Sequence, residues 1–406
     1  MSKIQDSSLA FKGKHSYLWA KSHMKILENS IQKMADTKPL KGYVVASGLQ
    51  LTKETAVLLV GLKRLGADVV ACGGNPLTTQ DDVAAFLDSQ GFTVYAWSDQ
   101  SQSDYAWCQS MVISCKPDLI MDDGGDLNIK AHLAKNKVSG ATEETTTGVT
   151  RYMAMQKKGV LRYPIIAVNN ARTKMMFDNR YGTGQSTVDA ILRASNLLLS
   201  SKKIVVAGYG WLGKGIAKRF AGMGSKIIIT EVNPVKALEA HMDGFEVTTM
   251  DKASRVGDFF ITCTGMRDVI KRSHILQMKN GAILANAGHF DVEIDVKFLL
   301  GQFTRQVRPD LDECTLSNGN KIYLVGKGRV VNLVASEGHP PDVMALSFSN
   351  QLHCLLYVLR NHHKMKNKVY DVPKEIDDAV AYDALKTDGI KIDRLSEKQM
   401  DYLQSW

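Results

Sequence analysis

From Gly42 onward, short runs rich in β-branched residues alternate with longer stretches of helical periodicity, and this alternation happens twice. The first runs are Tyr43–Ser47, Asp68–Cys72, Thr93–Trp97, Asp118–Met121 and Ile165–Val168. Between the first two lies Thr52–Leu65, where Leu58, Leu62 and Leu65 fall four and three apart on one helical face. A second set starts near Lys203, with Ile204–Ala207, Lys226–Thr230, Phe245–Thr248, Asp258–Thr262, Ala282–Asn286 and Lys321–Val325. Parallel strands need crossover connections, so strands that alternate with helices predict a parallel sheet covered by helices. Two such sets in 406 residues predict two α/β units, each able to bury a core, with a cleft between them. Ahead of the first set, His15–Met34 reads as one amphipathic helix, with Trp19, His23, Met24 and Leu27 on neighbouring turns.

Charge and composition exclude several classes. The net charge of +9, from 51 Lys+Arg against 42 Asp+Glu, is modest over this length. Its densest piece, Arg360–Lys368, follows the apolar stretch Leu352–Leu359 and suits the C-terminal end of a helix dipole. Nothing resembles a zinc finger or an aromatic-rich RNA-binding strand, so no nucleic-acid partner is expected. No apolar run approaches the roughly 18–20 residues that span a bilayer, and no membrane partner is expected. The opening Met1–Asp6 lacks an apolar signal core, which leads to the expectation of a cytoplasmic protein. The six cysteines contain no CxxC pair, so neither a disulfide framework nor a metal site is expected.

The most informative local pattern is Gly208-Tyr209-Gly210-Trp211-Leu212-Gly213, which follows the strand Ile204–Ala207 and opens a helix through Ile216, Ala217 and Phe220. Gly208 suits a tight turn, Gly210 the approach of backbone to a pyrophosphate, and Gly213 close helix–strand packing. The helix start then offers free N–H groups to phosphates. Glu231 ends the next strand, 18 residues beyond Gly213, where a carboxylate binds a ribose diol and repels a 2′-phosphate. The expected cofactor is therefore NAD, a preference slightly weakened by Lys236.

The expected fold class is α/β: two Rossmann-like, doubly wound parallel-sheet domains joined by a hinge, with a short C-terminal tail. Residues 1–182, completed by 340–372, form the substrate-binding unit; 183–339 form the NAD-binding unit; 373–406 form the tail. The return is made by a helix over Pro341–Leu359, and the hinges fall near Tyr181–Thr183 and Gly338–His339.

Five polar clusters lie at or near predicted strand ends: Asp122–Asp126 (DDGGD), Glu143–Gly148 (EETTTG), Thr173–Asn179 (TKMMFDN), Asn286–Asp291 (NAGHFD) and Glu337–Pro340 (EGHP). Any one alone reads as a capped turn. Together with GYGWLGKG and in this order, they resemble the S-adenosylhomocysteine hydrolase (adenosylhomocysteinase) family from about Trp19 to Trp406. The short ending Leu403–Trp406 is similar to that of the archaeal and thermophile-type members.

The resemblance implies reversible hydrolysis of S-adenosyl-L-homocysteine to adenosine and L-homocysteine, relieving product inhibition of methyltransferases. NAD oxidises the 3′-hydroxyl, the C4′ proton leaves, homocysteine is eliminated, water adds, and the ketone is reduced again. By motif, Lys174 takes the 3′-hydroxyl proton with Asp178 and Asn179, which requires a depressed lysine pKa. Glu144 holds the ribose hydroxyls, Asp123 carries protons near C4′ or C5′, and His289 sits near the 3′ region. Thr145, Thr146 and Thr147 reach the nicotinamide side of NAD, with Asn332 on the carboxamide and Ala287 and Gly288 beside it. Thr52 and Glu54 recognise adenine, and His339 lies near the base at the hinge. A homo-oligomer, usually a tetramer, is also implied.

The chain departs from the family at four places. Gln50 stands where most members have histidine, and an amide cannot exchange a proton near neutral pH. Slower hydrolysis, or a related NAD-dependent reaction on another 5′-substituted adenine nucleoside such as a 4′,5′-elimination, follows from that change. A non-catalytic NAD- and adenosine-binding regulator is the third reading, and retention of Lys174, Asp178, Glu144 and Asp123 argues against it. Thr183 replaces a cysteine near the nicotinamide, and Lys236 replaces an asparagine that helps bind the cofactor ribose. The short end lacks the Lys- and Tyr-bearing tail that longer relatives extend into a neighbouring subunit.

Overall fold

Branched side chains pack well on a pleated surface and lose rotamer freedom in a helix, and here they build two sheets. The computed structural model describes residues 2–288 and 291–406. The first strands are β1 (Val44–Gly48), β2 (Asp68–Cys72), β3 (Thr93–Tyr95), β4 (Leu119–Asp122), β5 (Gly140–Glu143) and β6 (Ile165–Ala167). Then come β7 (Lys203–Ala207), β8 (Lys226–Thr230), β9 (Glu246–Val247), β10 (Phe259–Thr262), β11 (Ile283–Asn286), β12 (Phe303–Arg308), β13 (Leu311–Thr315) and β14 (Lys321–Val325). The last strand, β15, is Val369–Asp371.

The first sheet has the order β15-β6-β5-β4-β1-β2-β3 and is parallel throughout. The second has the order β12-β13-β14-β11-β10-β7-β8-β9, parallel except where β13 pairs antiparallel with β12 and β14. The strand order reverses between β1 and β4 in one sheet and between β7 and β10 in the other. Crevices that take ligands open at the carboxyl ends of such switch points. Those ends carry Leu49–Gln50 and Asp123 in the first sheet, and Gly208 and Cys263 in the second.

Sequence and structure differ in three elements. The helix expected over His15–Met34 is two helices, Ala10–His23 and Lys25–Met34, broken at Met24 (φ −99°, ψ 44°). The first helix buries Gly13, Tyr17 and Ala20 against helix Asp81–Ser89, and a Cβ at position 13 would lie 1.8 Å from the Asp82 carbonyl oxygen. The break lets the second helix turn Leu27 and Ile31 into the core. Strand β5 was not expected, because Gly-Ala-Thr-Glu lacks β-branched apolar residues; its neighbours β4 and β6 impose the extended form. The β12–β13 hairpin also escapes the pattern, since Phe303–Arg308 is a largely exposed edge.

Helix Pro341–Asn361 returns to the first unit, where Ala345, Phe348, Leu352, Leu355 and Leu356 join its core. Phe348 and the three leucines each contribute about 1.5–3 kcal/mol by this burial. Strand β15 then extends the first sheet beside β6. Helix Lys374–Thr387 packs on helices Pro341–Asn361 and Lys25–Met34. The basic residues His362–Lys364 sit at the exposed end of the returning helix.

The two units approach most closely where helix Trp211–Gly222 meets the segment Met175–Gly182. A Cβ on Gly215 would lie 1.9 Å from the Arg180 carbonyl oxygen, so only glycine permits this contact. At the second crossing, Gly338 adopts φ +83° and the His339 ring nitrogen Nε2 lies 2.7 Å from Thr183 Oγ1, tying the two hinge segments together.

Candidate active site

A cleft of about 1330 Å³ opens between the carboxyl ends of the two sheets. It exceeds the roughly 300–1,000 Å³ usual for one small ligand, and its lining divides into two chemically distinct halves.

The first half surrounds Lys174. The turn Arg172–Lys174 is held by Asp377, whose carboxylate accepts the backbone N–H groups of Arg172 (2.7 Å) and Thr173 (2.9 Å). Directly after it, Met175–Gly182 forms a π-helix, a wide turn that recurs at functional sites. Its geometry sets both Asp178 and Asn179 beneath the lysine. Lys174 Nζ donates to Asn179 Oδ1 (3.1 Å) and lies 3.4 Å from Asp178 Oδ1 and 3.9 Å from Glu144 Oε1. Glu144 is aimed by the returning helix: Ser347 Oγ donates to its Oε1, and Gln351 Nε2 to its Oε2 at 2.6 Å. Thr142 Oγ1 in turn donates to Gln351 Oε1 (2.5 Å), which fixes the orientation of that amide.

Burial dominates the electrostatics here. It pushes the Asp123 carboxyl up to about 7, against the nearby Lys174 ammonium and a hydrogen bond from Gln50. Burial likewise carries Glu144 to about 7, again opposed by Lys174. For Lys174 burial favours the neutral amine, but Asp178, Glu144 and Asp123 outweigh it and hold its pKa above the ordinary lysine value. This corrects the expectation of a depressed lysine pKa: three carboxylates from three elements converge on one cation. His339 is kept neutral by burial, with its Nδ1 3.7 Å from Asp178 Oδ2.

Gln50 lines the cleft beside Asp123. Thr78 donates to Gln50 Oε1, which leaves the amide N–H groups for the carboxyl. Thr52 and Glu54 also line this half. Glu54 Oε1 accepts no hydrogen bond from the described residues and lies 3.4 Å from Lys53 Nζ, which bridges on to Glu337 Oε2 at 3.1 Å.

The second half is the glycine turn. Gly208 has φ +105°, a conformation that disfavours any side chain, and nothing lies within 4 Å of where a Cβ on Gly210 would stand. Gly213 does not line the cleft; a Cβ there would lie 2.0 Å from the Gly208 carbonyl oxygen, so it serves the packing beneath the turn. Gly210, Trp211, Leu212, Glu231 and Lys236 do line it. Glu231 accepts the backbone N–H groups of Tyr209 (2.7 Å), Val232 (2.7 Å) and Asn233 (2.9 Å). Burial works against its charge, but these bonds hold its pKa below the usual carboxylate value, so an anion faces the place of a ribose diol.

Between the halves stand Thr145, Thr146, Thr147, Asn179, Ala287, Gly288 and Asn332. The Thr145 hydroxyl donates to Glu143 Oε1 (2.7 Å) and caps helix Thr146–Lys157. Asn332 is buried, and its Oδ1 has no hydrogen-bond partner among the described residues, so an acceptor awaits a ligand N–H such as that of a carboxamide. The open glycine turn, the anionic Glu231 and this orphan acceptor fit NAD. His289 lies outside the described residues.

Several contributors escaped the sequence: Ser347 and Gln351 behind Glu144, Thr78 behind Gln50, Lys53 beside Glu54, and Met344 and Phe348 in the lining. The signal for the helical ones is Ser347, Asn350 and Gln351, polar residues spaced three and four apart on the apolar face of a helix. Core-facing polar residues at helical spacing mark a buried polar site.

Comparison with known proteins covers both halves. Residues 1–137 match the family model of S-adenosyl-L-homocysteine hydrolase, and residues 179–338 match that of its NAD binding domain. The adenosylhomocysteinases of Sulfurisphaera tokodaii and Saccharolobus solfataricus are 52% and 51% identical across the whole chain, over 98% of each relative. The S-inosyl-L-homocysteine hydrolase of Methanocaldococcus jannaschii is 47% identical, again across the whole chain and over 99% of its own length. With a dinucleotide turn facing a buried lysine–carboxylate cluster, and full-length identity near one half, this chain belongs to the S-adenosyl-L-homocysteine hydrolase family and is a hydrolase that uses NAD.

Proposed function

We propose that the chain catalyses the reversible hydrolysis of S-adenosyl-L-homocysteine to adenosine and L-homocysteine, with Lys174, Asp178, Glu144 and Asp123 carrying the proton transfers. The single observation behind these roles is the buried Lys174 amine among three carboxylates on the wall facing the glycine turn. NAD, held by Gly208, Gly210, Glu231 and Asn332, supplies oxidation and re-reduction at C3′ together with a positive charge that opposes the lysine ammonium.

Glu144 accepts hydrogen bonds from the ribose hydroxyls, held rigid by Ser347 and Gln351. Lys174 exchanges the 3′-hydroxyl proton, the positive charge of the cofactor, when bound, offsetting the carboxylates that favour its ammonium form, with Glu144 beside it. Asp123, with a pKa near the working pH, takes the C4′ proton once the 3′-ketone has acidified it and returns it after water addition. Asn179 and Asp178 keep the amine in register. His289, which follows Ala287 and Gly288 in the Asn286–Asp291 cluster, belongs to the proposed 3′ region.

Incubation with NAD and S-adenosyl-L-homocysteine tests this directly, with trapping of free thiol, identification of the nucleoside and absorbance of the reduced cofactor. Thiol and adenosine in equal amounts support hydrolysis. An unsaturated nucleoside instead supports elimination without water addition, the reading that Gln50 favours.

Gln50 cannot titrate, so ionisation of the proton-transfer groups near neutrality rests on Asp123 and Glu144. Both act as carboxylates, which are lost below their pKa values, so turnover falls as the pH drops through about 7. Gln50→His adds a second proton carrier beside Asp123. If transfer at C5′ limits the rate, turnover rises by up to about 10²-fold and the acid limb gains a second ionisation. An unchanged rate and profile would assign no such limit to this position.

The same reading makes the protein a cytoplasmic homotetramer of the methyl cycle, with the domain division 1–182 plus 340–372, 183–339 and 373–406. No helix among the described residues is long and apolar enough to cross a membrane. Helix Glu397–Gln404 buries none of its residues and exposes Tyr402 and Leu403, a surface suited to a second copy.

A further inference from the structure

Behind the cleft-facing Asp123 and Glu144 lies a second pair, Asp122 and Glu143, which none of the steps above uses. Consecutive residues at a strand end point to opposite sides, so each doublet sends one carboxyl into the cleft and one into the protein. The inner pair is completely buried, and Tyr152, equally buried, stands between its members. The phenol oxygen lies 3.0 Å from Asp122 Oδ2 and 2.9 Å from Glu143 Oε2. It also receives an N–H from Asn128 Nδ2 (3.0 Å), whose orientation is set by Tyr163 donating to Asn128 Oδ1 (2.9 Å).

Hydrogen counting then decides the charge. A phenol has one proton and can donate to only one carboxylate. Toward the other, two acceptors would confront each other at hydrogen-bond distance, unless that acid carries a proton. As an anion Asp122 is well served: Oδ1 accepts Asp123 N–H (3.0 Å), and Oδ2 accepts Asn128 N–H (2.7 Å) and, when that proton is directed to it, Tyr152. Glu143 spends Oε1 on Gly124 N–H (2.9 Å), Thr145 N–H (3.0 Å) and the Thr145 hydroxyl (2.7 Å), and turns Oε2 to Tyr152.

We propose that Glu143 is a neutral carboxylic acid that donates from Oε2 to Tyr152, that Tyr152 donates to an ionised Asp122, and that this pair is a positioning device for Asp123 and Glu144. Its carbonyl oxygen gathers Gly124 and Thr145, the residues that follow Asp123 and Glu144 in the chain. Helix Thr146–Lys157 closes directly over it, since a Cβ on Gly148 would lie 2.1 Å from the Glu143 carboxyl carbon. Electrostatics agrees in direction. Burial, joined by the charges of Asp122 and Asp123, drives Glu143 far above the carboxylate range, whereas Asp122 reaches only about 6. The geometry requires one protonated acid in the pair, and the directions of the two pKa shifts place the proton on Glu143; its effect on turnover rests on the function proposed above, and the test separates the two.

Infrared spectroscopy of the NAD-loaded enzyme reads the proton without any turnover. At about pH 9, two units above Asp123 and Glu144, a protonated carboxyl C=O band persists in the native enzyme and in Asp122→Asn, and is lost in Glu143→Gln. A band that survives Glu143→Gln but vanishes in Asp122→Asn overturns the assignment, as does no band in any form. The substitutions also differ in fit. Glutamine offers an N–H where the acid offers its O–H. Either rotamer of asparagine at 122 turns an amide donor against a backbone N–H. Glu143→Leu lowers kcat about 10- to 100-fold with little change in KM, by misplacing the cleft pair, and Glu143→Gln restores most of the loss. With the band assigned to Glu143, failure of Glu143→Gln to recover the kcat lost in Glu143→Leu overturns the positioning role.

Discussion

Lys174→Met leaves the cofactor unreduced when adenosine is added: formation of the reduced cofactor falls about 10³-fold, within the 10²–10⁴-fold usual for a positioned acid–base group. The side chain is buried and nearly isosteric with methionine, so the fold survives. The loss belongs to the amine itself. Removing one cation also leaves Asp178, Glu144 and Asp123 without the charge that opposes their burial, so the pKa values of Asp123 and Glu144, already about 7, move upward. The residual activity of the variant therefore has its acid limb at higher pH than the native enzyme. Stopped-flow absorbance across pH checks both effects, and near-native reduction of the cofactor in Lys174→Met would remove the lysine from the proposed mechanism.

Base selection gives the second large effect. Glu54 is buried and lines the cleft, with an Oε1 that accepts no hydrogen bond from the described residues and only an ion pair with Lys53 beside it. As a carboxylate it accepts from the exocyclic amine of adenine and repels the carbonyl of hypoxanthine. A mismatch of this kind costs about 1–3 kcal/mol, or roughly 5- to 150-fold in kcat/KM. Adenosine-type substrates are therefore preferred over inosine-type ones by that margin, and Glu54→Gln removes most of the preference, because an amide can donate to the carbonyl. Lys53 sharpens the test. Burial raises the Glu54 pKa and Lys53, 3.4 Å away, opposes that rise. Lys53→Met lets the acid form accumulate as pH is lowered, and an O–H can donate to hypoxanthine. Its preference for adenosine thus declines toward acid pH more steeply than that of the native enzyme. Competition between the two nucleosides at several pH values measures this, and equal turnover of inosine by the native enzyme would reject it.

The two α/β units were legible because their signals are local. Strands β2, β8 and β14 fall on the residues expected from runs of branched side chains, and Gly208–Gly213 makes its turn where a strand meets a helix. The polar clusters marked Asp123, Glu144, Lys174 and Asp178, which the fold gathers in one cleft. Beyond local reach lay strand β5, whose Gly-Ala-Thr-Glu composition argues against extension, and the break at Met24 that only packing against two neighbours demands.

Periodicity and motif spacing along the chain were enough to specify where a dinucleotide turns and which polar side chains gather at strand ends, since those features depend on neighbours a few residues away. Protonation and aim were decided elsewhere. Glu144 is oriented by Ser347 and Gln351, 203 and 207 residues distant, and the charge on Lys174 is the sum of carboxylates delivered by three separate elements. Burial and charge add through space without regard to sequence separation, so those properties exist only once the returning helix has closed over the first sheet.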